Sequence, residues 1–255
     1  MLNVKGGFSP FYNLGNPDSS IEALKTELEM AQKALGNKKI DLYGPARRDH
    51  RLSNEQIGKN LKSLADQGFF GHVALSEVSA QTIRETHAAV PVAAVEVEFS
   101  PFTLDIEQNG ILDACKELGV TVMAYAPLSR GLIGGSLKSH ADLPQDFRKI
   151  GAPRFQKENL DANLKLASSF TDAAEAHGSG VTDAQLVLAW ELTQYEKLVP
   201  IPGSTQPKNI ETNTKAASIK LDAGTVKKIR SLADDASKNV AGKRYGEAFE
   251  GHLNG

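Results

Sequence analysis

The sequence predicts an α/β fold in which parallel strands alternate with helices. Short, almost uninterrupted apolar runs recur along the chain, and each is followed by apolar residues at helical spacing. Strands of a parallel sheet are covered on both faces, which is why they read as continuous apolar runs. The 255 residues are 40% apolar and 24% charged with a formal net charge of -2, and no internal repeat or low-complexity segment divides them. We therefore expect one globular domain over residues 1–255.

The first half of the chain begins with a short extended segment at Val4 and a helix preceded by Ser19. The spacing of Ser19 and Glu22 matches a capping box, and the same spacing of Ser53 and Gln56 predicts the start of a second helix. The predicted strands of this half are Lys39–Tyr43, His72–Leu75, Ala93–Phe99 and Val120–Ala126. After the helix that begins near Ser53, the next predicted helices of this half are Ala80–His87 and Ile106–Leu118.

The second half opens with a polar, glycine-containing stretch from Ser129 to Glu158 that interrupts the alternation. Beyond it the pattern predicts one strand, Leu198–Ile201, and four helices, Leu160–His177, Asp183–Tyr195, Pro207–Lys215 and Ala223–Ala236. A complete (β/α)8 barrel is typically about 250 residues long, but only five full strands and the stub at Val4 can be counted. The pattern predicts either a smaller open sheet or a barrel that lacks its first strands.

Charge and composition argue against several classes of partner. Basic and acidic residues nearly balance, and no basic run supplies an electrostatic footprint for nucleic acid or an anionic membrane. No apolar stretch reaches the roughly 18 residues of a membrane span, and the N-terminus does not resemble a secretory signal. The single Cys115 lies in an apolar helical pattern, which favours a buried, inert thiol in a reducing compartment. We expect a cytoplasmic protein with small-molecule partners, and no metal site, because no histidines have metal-ligand spacing.

Candidate functional residues lie where the predicted strands end. Active sites of βα barrels lie at the carboxyl ends of the strands, where the βα loops gather. Each strand end alone reads as an ordinary turn, but the ordered set is specific. The set is Lys5–Gly7, Leu75–Ser79, Ala94–Ser100, Tyr125–Leu132 and Ile201–Thr205. It resembles the aldo-keto reductases over essentially the whole chain.

This resemblance implies a (β/α)8 TIM barrel that lacks its first strands and that reduces an aldehyde to an alcohol with NADPH. In the family, a tyrosine protonates the carbonyl oxygen, and its pKa is lowered by a lysine that is paired with an aspartate. Lys5 matches that catalytic lysine, since a nearby cation favours the phenolate. The family's aspartate and tyrosine precede the lysine, and this chain begins only four residues ahead of Lys5. Neither Tyr12 nor Tyr43 matches the tyrosine motif.

One departure from the family pattern bears on the substrate. Ala46 stands where the family has an active-site histidine, in the run Asp41-Leu-Tyr-Gly-Pro-Ala-Arg47. Alanine removes a hydrogen-bond donor and leaves room for a bulkier substrate. Pyridoxal reductases carry alanine there, so the resemblance implies reduction of pyridoxal to pyridoxine, a step of vitamin B6 metabolism. Other aldehydes, or a decayed site without activity, remain open.

The resemblance also implies the residues that bind NADPH. Ser76 matches a residue that hydrogen-bonds the nicotinamide carboxamide. Glu96 stands where many relatives have glutamine, and Glu77 stands where many have asparagine. Tyr125 matches the aromatic residue that stacks on the nicotinamide ring. The loop that covers the pyrophosphate corresponds to Pro127, Leu128, Ser129 and Gly131, whose backbone amides would cradle the anion.

At the adenosine end, the matching residues surround the start of a predicted helix. They are Gly203, Ser204, Thr205, Lys208, Asn209 and Asn213. Helix N-terminal amides would bind the 2′-phosphate, and Asn213 matches a residue that contacts adenine. Relatives usually have arginine in place of Asn209, and Lys208 can compensate only as a point charge. Arg47, Glu98 and Arg130 are interpreted as structural charges beside the pocket.

Two alternatives follow from the missing aspartate and tyrosine. The chain can be a catalytically silent NADPH-binding protein, comparable to the aldo-keto reductase-like subunits that regulate membrane channels. It can also be a truncated fragment whose open strand edges favour aggregation or pairing with a second chain. The sequence leaves the oligomeric state open.

Overall fold

The structure is a computed structural model that describes residues 1–8, 16–134, 137–178 and 180–246. Its strands are β1 (Asn3–Gly6), β2 (Leu42–Pro45), β3 (His72–Ser76), β4 (Val92–Glu98), β5 (Thr121–Tyr125) and β6 (Leu198–Pro200). Its α-helices are α1 (Ile21–Leu35), α2 (Asn54–Asp66), α3 (Ala80–Ala89), α4 (Ile111–Leu118), α5 (Phe147–Gly151), α6 (Lys157–His177), α7 (Asp183–Glu191), α8 (Pro207–Lys215) and α9 (Ala223–Asn239). The predicted α/β class is confirmed, and the described residues hold two strands fewer than a complete (β/α)8 barrel.

Two predicted helices differ from the structure for local reasons. The segment predicted as Ile106–Leu118 divides into a 3-10 turn, Asp105–Glu107, and α4, because Gly110 has a left-handed backbone with φ of 82°. The helix predicted to reach Tyr195 ends at Glu191. Beyond it, the side chains of Thr193 and Gln194 both donate to the carbonyl oxygen of Trp190, at 2.7 and 3.0 Å, so that this acceptor no longer serves a regular helical turn.

The predicted cap of the first helix was wrong by one residue. Ser20 is the N-cap of α1, and its hydroxyl accepts from the backbone amide of Ala23 at 3.4 Å. Ser19 is buried instead, and its amide donates to the carboxylate of Asp49 at 3.0 Å. The cap of α2 is confirmed, since Ser53 accepts from the amide of Gln56 at 3.1 Å.

The described residues group into two compact units. The first contains Met1–Val97 and Ile106–Met123, and the second contains Glu98–Asp105 and the described residues from Ala124 onward. In the first unit the strand order is β1–β2–β3–β4–β5, with parallel pairing from β1 to β4. Its core is aliphatic, and the fully buried residues include Leu24, Leu28, Leu61, Leu64 and Ile83.

The second unit contains helices α5 to α9 and strand β6. Within this unit, the amide of Ile201, directly after β6, donates to the carbonyl oxygen of Ala124 at 2.9 Å. Its core combines aliphatic residues with several aromatic ones, and the rings of Phe99 and Trp190 stack with centroids 6.0 Å apart.

Three further features of the described residues bear on function. Cys115 is buried, as predicted, and burial raises the pKa of its thiol to about 12. None of the helices described has both the length and the apolar composition that a membrane crossing requires. Within the same ranges, no cluster of three or more histidine, cysteine or acidic residues is arranged to hold a metal ion.

Candidate active site

Lys5 lies at the carboxyl end of β1 and forms an ion pair with Glu96 of β4. The ammonium group donates to Oε1 of Glu96, and Asn3 donates from Nδ2 to Oε2 of the same carboxylate at 3.1 Å. The side chain of Glu96 is 10% exposed, whereas that of Lys5 is 37% exposed. The buried carboxylate of Glu96 therefore holds the ammonium group of Lys5, which remains accessible to a ligand.

The two glycines after Lys5 are required by close packing. A side chain on Gly6 would overlap both the carboxylate of Glu27 and the hydroxyl of Tyr43. Glu27 is 5% exposed and accepts from the amide of Gly7 at 2.5 Å. Burial raises the pKa of Glu27 although the amides of Gly7 and Phe8 act in the opposite direction. The Glu27 carboxylate thus holds Gly7, two residues after Lys5, in place.

Tyr43 forms no side-chain hydrogen bond with Lys5 in the described structure. It is 1% exposed, and its hydroxyl has no hydrogen-bond partner among the described residues. Burial, and then the charge of Glu27, raise the pKa of Tyr43, which keeps the phenol neutral. This agrees with the interpretation of Tyr43 as a packing residue. Tyr12 lies outside the described residues.

The remaining candidates of the first unit lie at the ends of β2 and β3. Ser76 and Glu77 are each 2% exposed, and Glu77 has a positive φ of 51°. The amide of Glu77 donates to the carbonyl oxygen of Glu96 at 3.0 Å. Ala46 is half-buried, and its amide donates to the carbonyl oxygen of Gly6 at 2.8 Å. The structure therefore places Lys5, Ser76 and Glu96 towards the carboxyl ends of β1, β3 and β4 in one parallel sheet.

In the second unit, Tyr125 ends β5 and is half-buried. Its hydroxyl lies 2.9 Å from the hydroxyl of Tyr245 and accepts from Nη2 of Arg244 at 3.1 Å. The phenol is therefore held at its polar end by residues close to the C-terminus. Hydrogen bonds at the hydroxyl fix the orientation of the ring, as an aromatic stacking platform requires.

The loop after Tyr125 has an unusual backbone. Ala126, Ser129 and Arg130 have positive φ values of 49°, 52° and 57°, and Gly131 follows with 95°. Left-handed backbone at residues other than glycine costs roughly 1 kcal/mol each, and such strain clusters at functional sites. Three amides of this loop already donate to loop carbonyl oxygens: Ser129 to Ala126, Gly131 to Leu128 and Leu132 to Ser129. As it stands, the loop closes on itself, and these three amides are not aimed outward.

The residues expected at the adenosine end surround the start of α8. Ser204 accepts from the amide of Gln206 at 3.0 Å, and Lys208 and Asn209 are exposed in the first turn. Gln206 provides no side-chain cap, so its side chain does not occupy the first amides of α8. Asn213 borders an apolar cavity of about 310 Å³ that is also lined by Leu192, Val199 and Ile210. A cation at an uncapped helix start suits a phosphate group.

A cluster of arginines around Glu98 was only partly recognised in the sequence. The sequence predicts structural charges at Glu98 and Arg130, but it gives no signal for Arg154, Arg244 and Tyr245. In the structure, Arg130 and Arg244 donate to Oε2 of Glu98 at 2.7 and 3.2 Å. A glutamate inside a buried strand needs a cationic partner, and that signal was available in the apolar run Ala93–Phe99. The sequence does not indicate which cations these are, because Arg244 lies 146 residues away from Glu98 in the chain.

The alternation of parallel strands and helices, with polar residues at the strand ends, defines an α/β protein of the βα-barrel kind. The chain matches the Aldo/keto reductase family over residues 11–234, and it belongs to that family. Lys5 precedes the matched residues.

Among curated relatives, the chain is 41% identical to an NADP(+) aldo-keto reductase of Schizosaccharomyces pombe, over 90% of this chain and 69% of the relative. It is 34% identical to a probable pyridoxal reductase of the same yeast, over 99% of this chain and 76% of the relative. Among solved structures, it is similar in fold to a glycerol dehydrogenase of Gluconobacter oxydans. That match has a TM-score of 0.77 and 22% identity, and it covers 88% of this chain and 67% of the other.

Proposed function

We propose that this chain reduces an aldehyde to an alcohol with NADPH, and that its substrate is pyridoxal. The observation that carries the proposal is the ion pair of Lys5 with Glu96, which holds an accessible ammonium at a strand end. Similarity to an NADP(+) aldo-keto reductase and to a probable pyridoxal reductase supports the cofactor and the substrate. Ala46 supports a bulky aromatic aldehyde, because alanine after β2 is smaller than the histidine that the family has there.

The described residues fit NADPH in part. In the first unit, Ser76 and Glu96 would contact the nicotinamide carboxamide. In the second unit, Tyr125 would offer its ring, and Ser204 with Lys208 would bind the 2′-phosphate at the start of α8. The pyrophosphate loop would bind through outward groups other than the three amides that it uses internally. Bound NADPH supplies the hydride.

Lys5 acts on the carbonyl oxygen of the substrate: its ammonium would give a proton to that oxygen as the hydride reaches the carbon, and water would return the proton to the amine, which is 37% exposed. An ammonium group at that oxygen stabilises the negative charge that develops there during reduction, most strongly where water is excluded. Glu96 and Asn3 keep the ammonium in place by fixing the carboxylate beneath it. Glu27 helps to position Lys5 indirectly, since its carboxylate accepts a hydrogen bond from the amide of Gly7.

The first test measures NADPH binding by nucleotide fluorescence and then NADPH consumption after addition of pyridoxal. Lys5→Met should lower turnover by about 100-fold or more and leave NADPH affinity nearly unchanged. Lys62→Met is the matched control, because Lys62 lies on the surface of α2 in an exposed ion pair with Asp66. Turnover that survives in Lys5→Met, with Lys62→Met equal to the parent, contradicts the role given to Lys5.

A second candidate function is a silent NADPH-binding protein. It is favoured by one observation: among the described residues, no tyrosine hydroxyl contacts Lys5, and Glu96 is its ion-pair partner. NADPH binding without pyridoxal-dependent consumption would support this candidate. Turnover by the parent chain excludes it.

A further inference from the structure

Arg47 lies in the loop directly after β2, next to the strand end that carries Lys5. The amide of Ala46 donates to the carbonyl oxygen of Gly6 at 2.8 Å, and Gly6 follows Lys5 in the chain. Nη1 of Arg47 donates to the carbonyl oxygen of the same alanine at 2.6 Å. Two hydrogen bonds and one intervening residue therefore connect the guanidinium group of Arg47 to the end of β1, and all of these residues belong to the first unit.

The other two arginines of this loop are held by their own segment. Arg51 donates from Nε and Nη2 to the two carboxylate oxygens of Asp49, each at 2.9 Å. Arg48 donates from Nε to Asn54 at 2.6 Å and from Nη2 to a backbone oxygen at 3.4 Å. Arg47 is half-buried, and its Nε and Nη2 have no acceptor among the described residues. Its guanidinium group is thus anchored at one corner, and its remaining donors are available to a ligand.

Arg47 also differs from the other charges that the sequence predicts to be structural. Glu98 and Arg130 pair with each other at 2.7 Å, which gives both of them a structural role in the second unit. No carboxylate among the described residues forms an ion pair with Arg47. A polar group that is partly withdrawn from water needs hydrogen-bond partners, because a buried donor without an acceptor is costly. An anionic ligand atom beside the Lys5 strand end would provide them.

Pyridoxal carries such an atom next to its aldehyde. Its ring hydroxyl group is attached to the carbon adjacent to the one that bears the aldehyde, and this hydroxyl is ionised at neutral pH. A site that receives the carbonyl oxygen at Lys5 must therefore receive a phenolate oxygen close by. Guanidinium groups form short, charge-assisted hydrogen bonds with anionic oxygens. Ala46 lies between the two cations in the chain fold and contributes only a methyl group there.

We propose that Arg47 is a specificity-determining residue that binds the phenolate oxygen of the substrate while Lys5 binds its carbonyl oxygen. The substrate class is then an aromatic aldehyde with an anionic oxygen on the adjacent ring carbon. This assignment rests on the proposed function and narrows it to that class.

The test compares two aldehydes that differ only in this oxygen, 3-hydroxypyridine-4-carboxaldehyde and pyridine-4-carboxaldehyde. NADPH consumption gives kcat/KM for each, and comparing their ratio between parent and variant cancels the difference in intrinsic reactivity. Arg47→Gln should lower the preference for the hydroxylated aldehyde about tenfold, which corresponds to about 1.4 kcal/mol. Arg47→Lys should keep part of the preference, because a point charge remains. Arg84→Gln is the control and should leave the ratio unchanged, since Arg84 lies on α3 in an exposed ion pair with Glu117.

A binding measurement separates failure of this proposal from failure of the proposed function. Calorimetry compares the corresponding alcohols, 3-hydroxypyridine-4-methanol and pyridine-4-methanol, which cannot form a Schiff base with a lysine. The parent chain should bind the hydroxylated alcohol more tightly, and Arg47→Gln should remove the difference.

Equal affinities of the parent for the two alcohols overturn the proposal without any variant. An unchanged preference in folded Arg47→Gln also overturns it, and the proposed reductase stands if pyridoxal is still reduced. If the binding preference depends on Arg47 but the parent consumes no NADPH, the phenolate subsite stands and the proposed reductase fails.

Discussion

Nη2 of Arg130 lies 2.7 Å from Oε2 of Glu98, and Nη1 of the same arginine donates to the carbonyl oxygen of Arg244 at 3.1 Å. One guanidinium thus ties the loop after β5 both to the end of β4 and to the residues near the C-terminus. Asn163 strengthens the second attachment, since it exchanges hydrogen bonds with Ala241 in both directions at 2.8 and 2.9 Å. The second unit consequently depends on a buried carboxylate for the order of the loop after β5.

Glu98→Gln should lower the free energy of unfolding by about 3 kcal/mol at neutral pH, because it removes the buried charge that pairs with Arg130 and Arg244. Burial raises the pKa of Glu98, but the three arginines together lower it below its ordinary value near 4.5. The charged form therefore stabilises the fold above about pH 4.5, and this contribution is lost as the pH falls further. Urea unfolding of parent and variant measures both effects.

The curves of parent and Glu98→Gln should converge toward acid pH. Glu211→Gln serves as the control, since Glu211 is exposed on α8. A variant as stable as the parent at neutral pH would mean that the arginines do not need this carboxylate.

Glu191 presents the opposite case. It is fully buried on α7, and neither carboxylate oxygen has a hydrogen-bond partner among the described residues. Burial raises its pKa well above 4.5, so the folded chain keeps a proton that the unfolded chain loses. Stability should therefore fall as the pH rises from about 4.5 toward the raised pKa.

Glu191→Met should remove this penalty and raise the free energy of unfolding by about 1 to 3 kcal/mol at slightly alkaline pH. The gain should shrink toward pH 4.5, where both states are protonated. Urea titrations at several pH values test this, with the exposed Glu196→Gln as control. A gain that is constant with pH would point to packing of the methionine and away from ionisation.

The fold was largely predictable because the relevant signals are local. Strands β3 to β6 agree with their apolar runs to within a residue or two, since a buried parallel strand reads directly from composition. The errors came from side chains that compete with the backbone. The side chains of Thr193 and Gln194 bond the carbonyl oxygen of Trp190, and α7 ends at Glu191. Ser20 caps α1, although the capping-box spacing favours Ser19.

The site was predictable only as positions at strand ends. Lys5, Ser76 and Tyr125 lie where parallel strands require them to lie. Their partners were not predictable, because no periodicity connects residues far apart in the chain. Lys5 and Glu96 are 91 residues apart, and Glu96 was assigned to the cofactor without its ion pair.

Gly44 should be the least replaceable glycine of the first unit. It is the register partner of Lys5 in β2, and a side chain there would collide with the carbonyl oxygen of Ala74 in β3. Backbone atoms cannot move aside as a flexible side chain can, so Gly44→Ala should cost about 3 kcal/mol or prevent folding. Thermal unfolding measures the loss. Gly203→Ala is the control, since its added carbon meets nothing within 4 Å.

Asn209→Arg should strengthen NADPH binding at the start of α8. Arginine replaces a neutral side chain with a planar fork suited to a phosphate, and Lys208 beside it already contributes one charge. We expect affinity for NADPH to rise about tenfold, equivalent to about 1.4 kcal/mol, with affinity for NADH unchanged, because NADH lacks the 2′-phosphate. Nucleotide fluorescence measures both. Lys208→Gln should act in the opposite sense, by weakening NADPH alone. Equal changes for the two nucleotides in either variant would show that this helix start does not bind the 2′-phosphate.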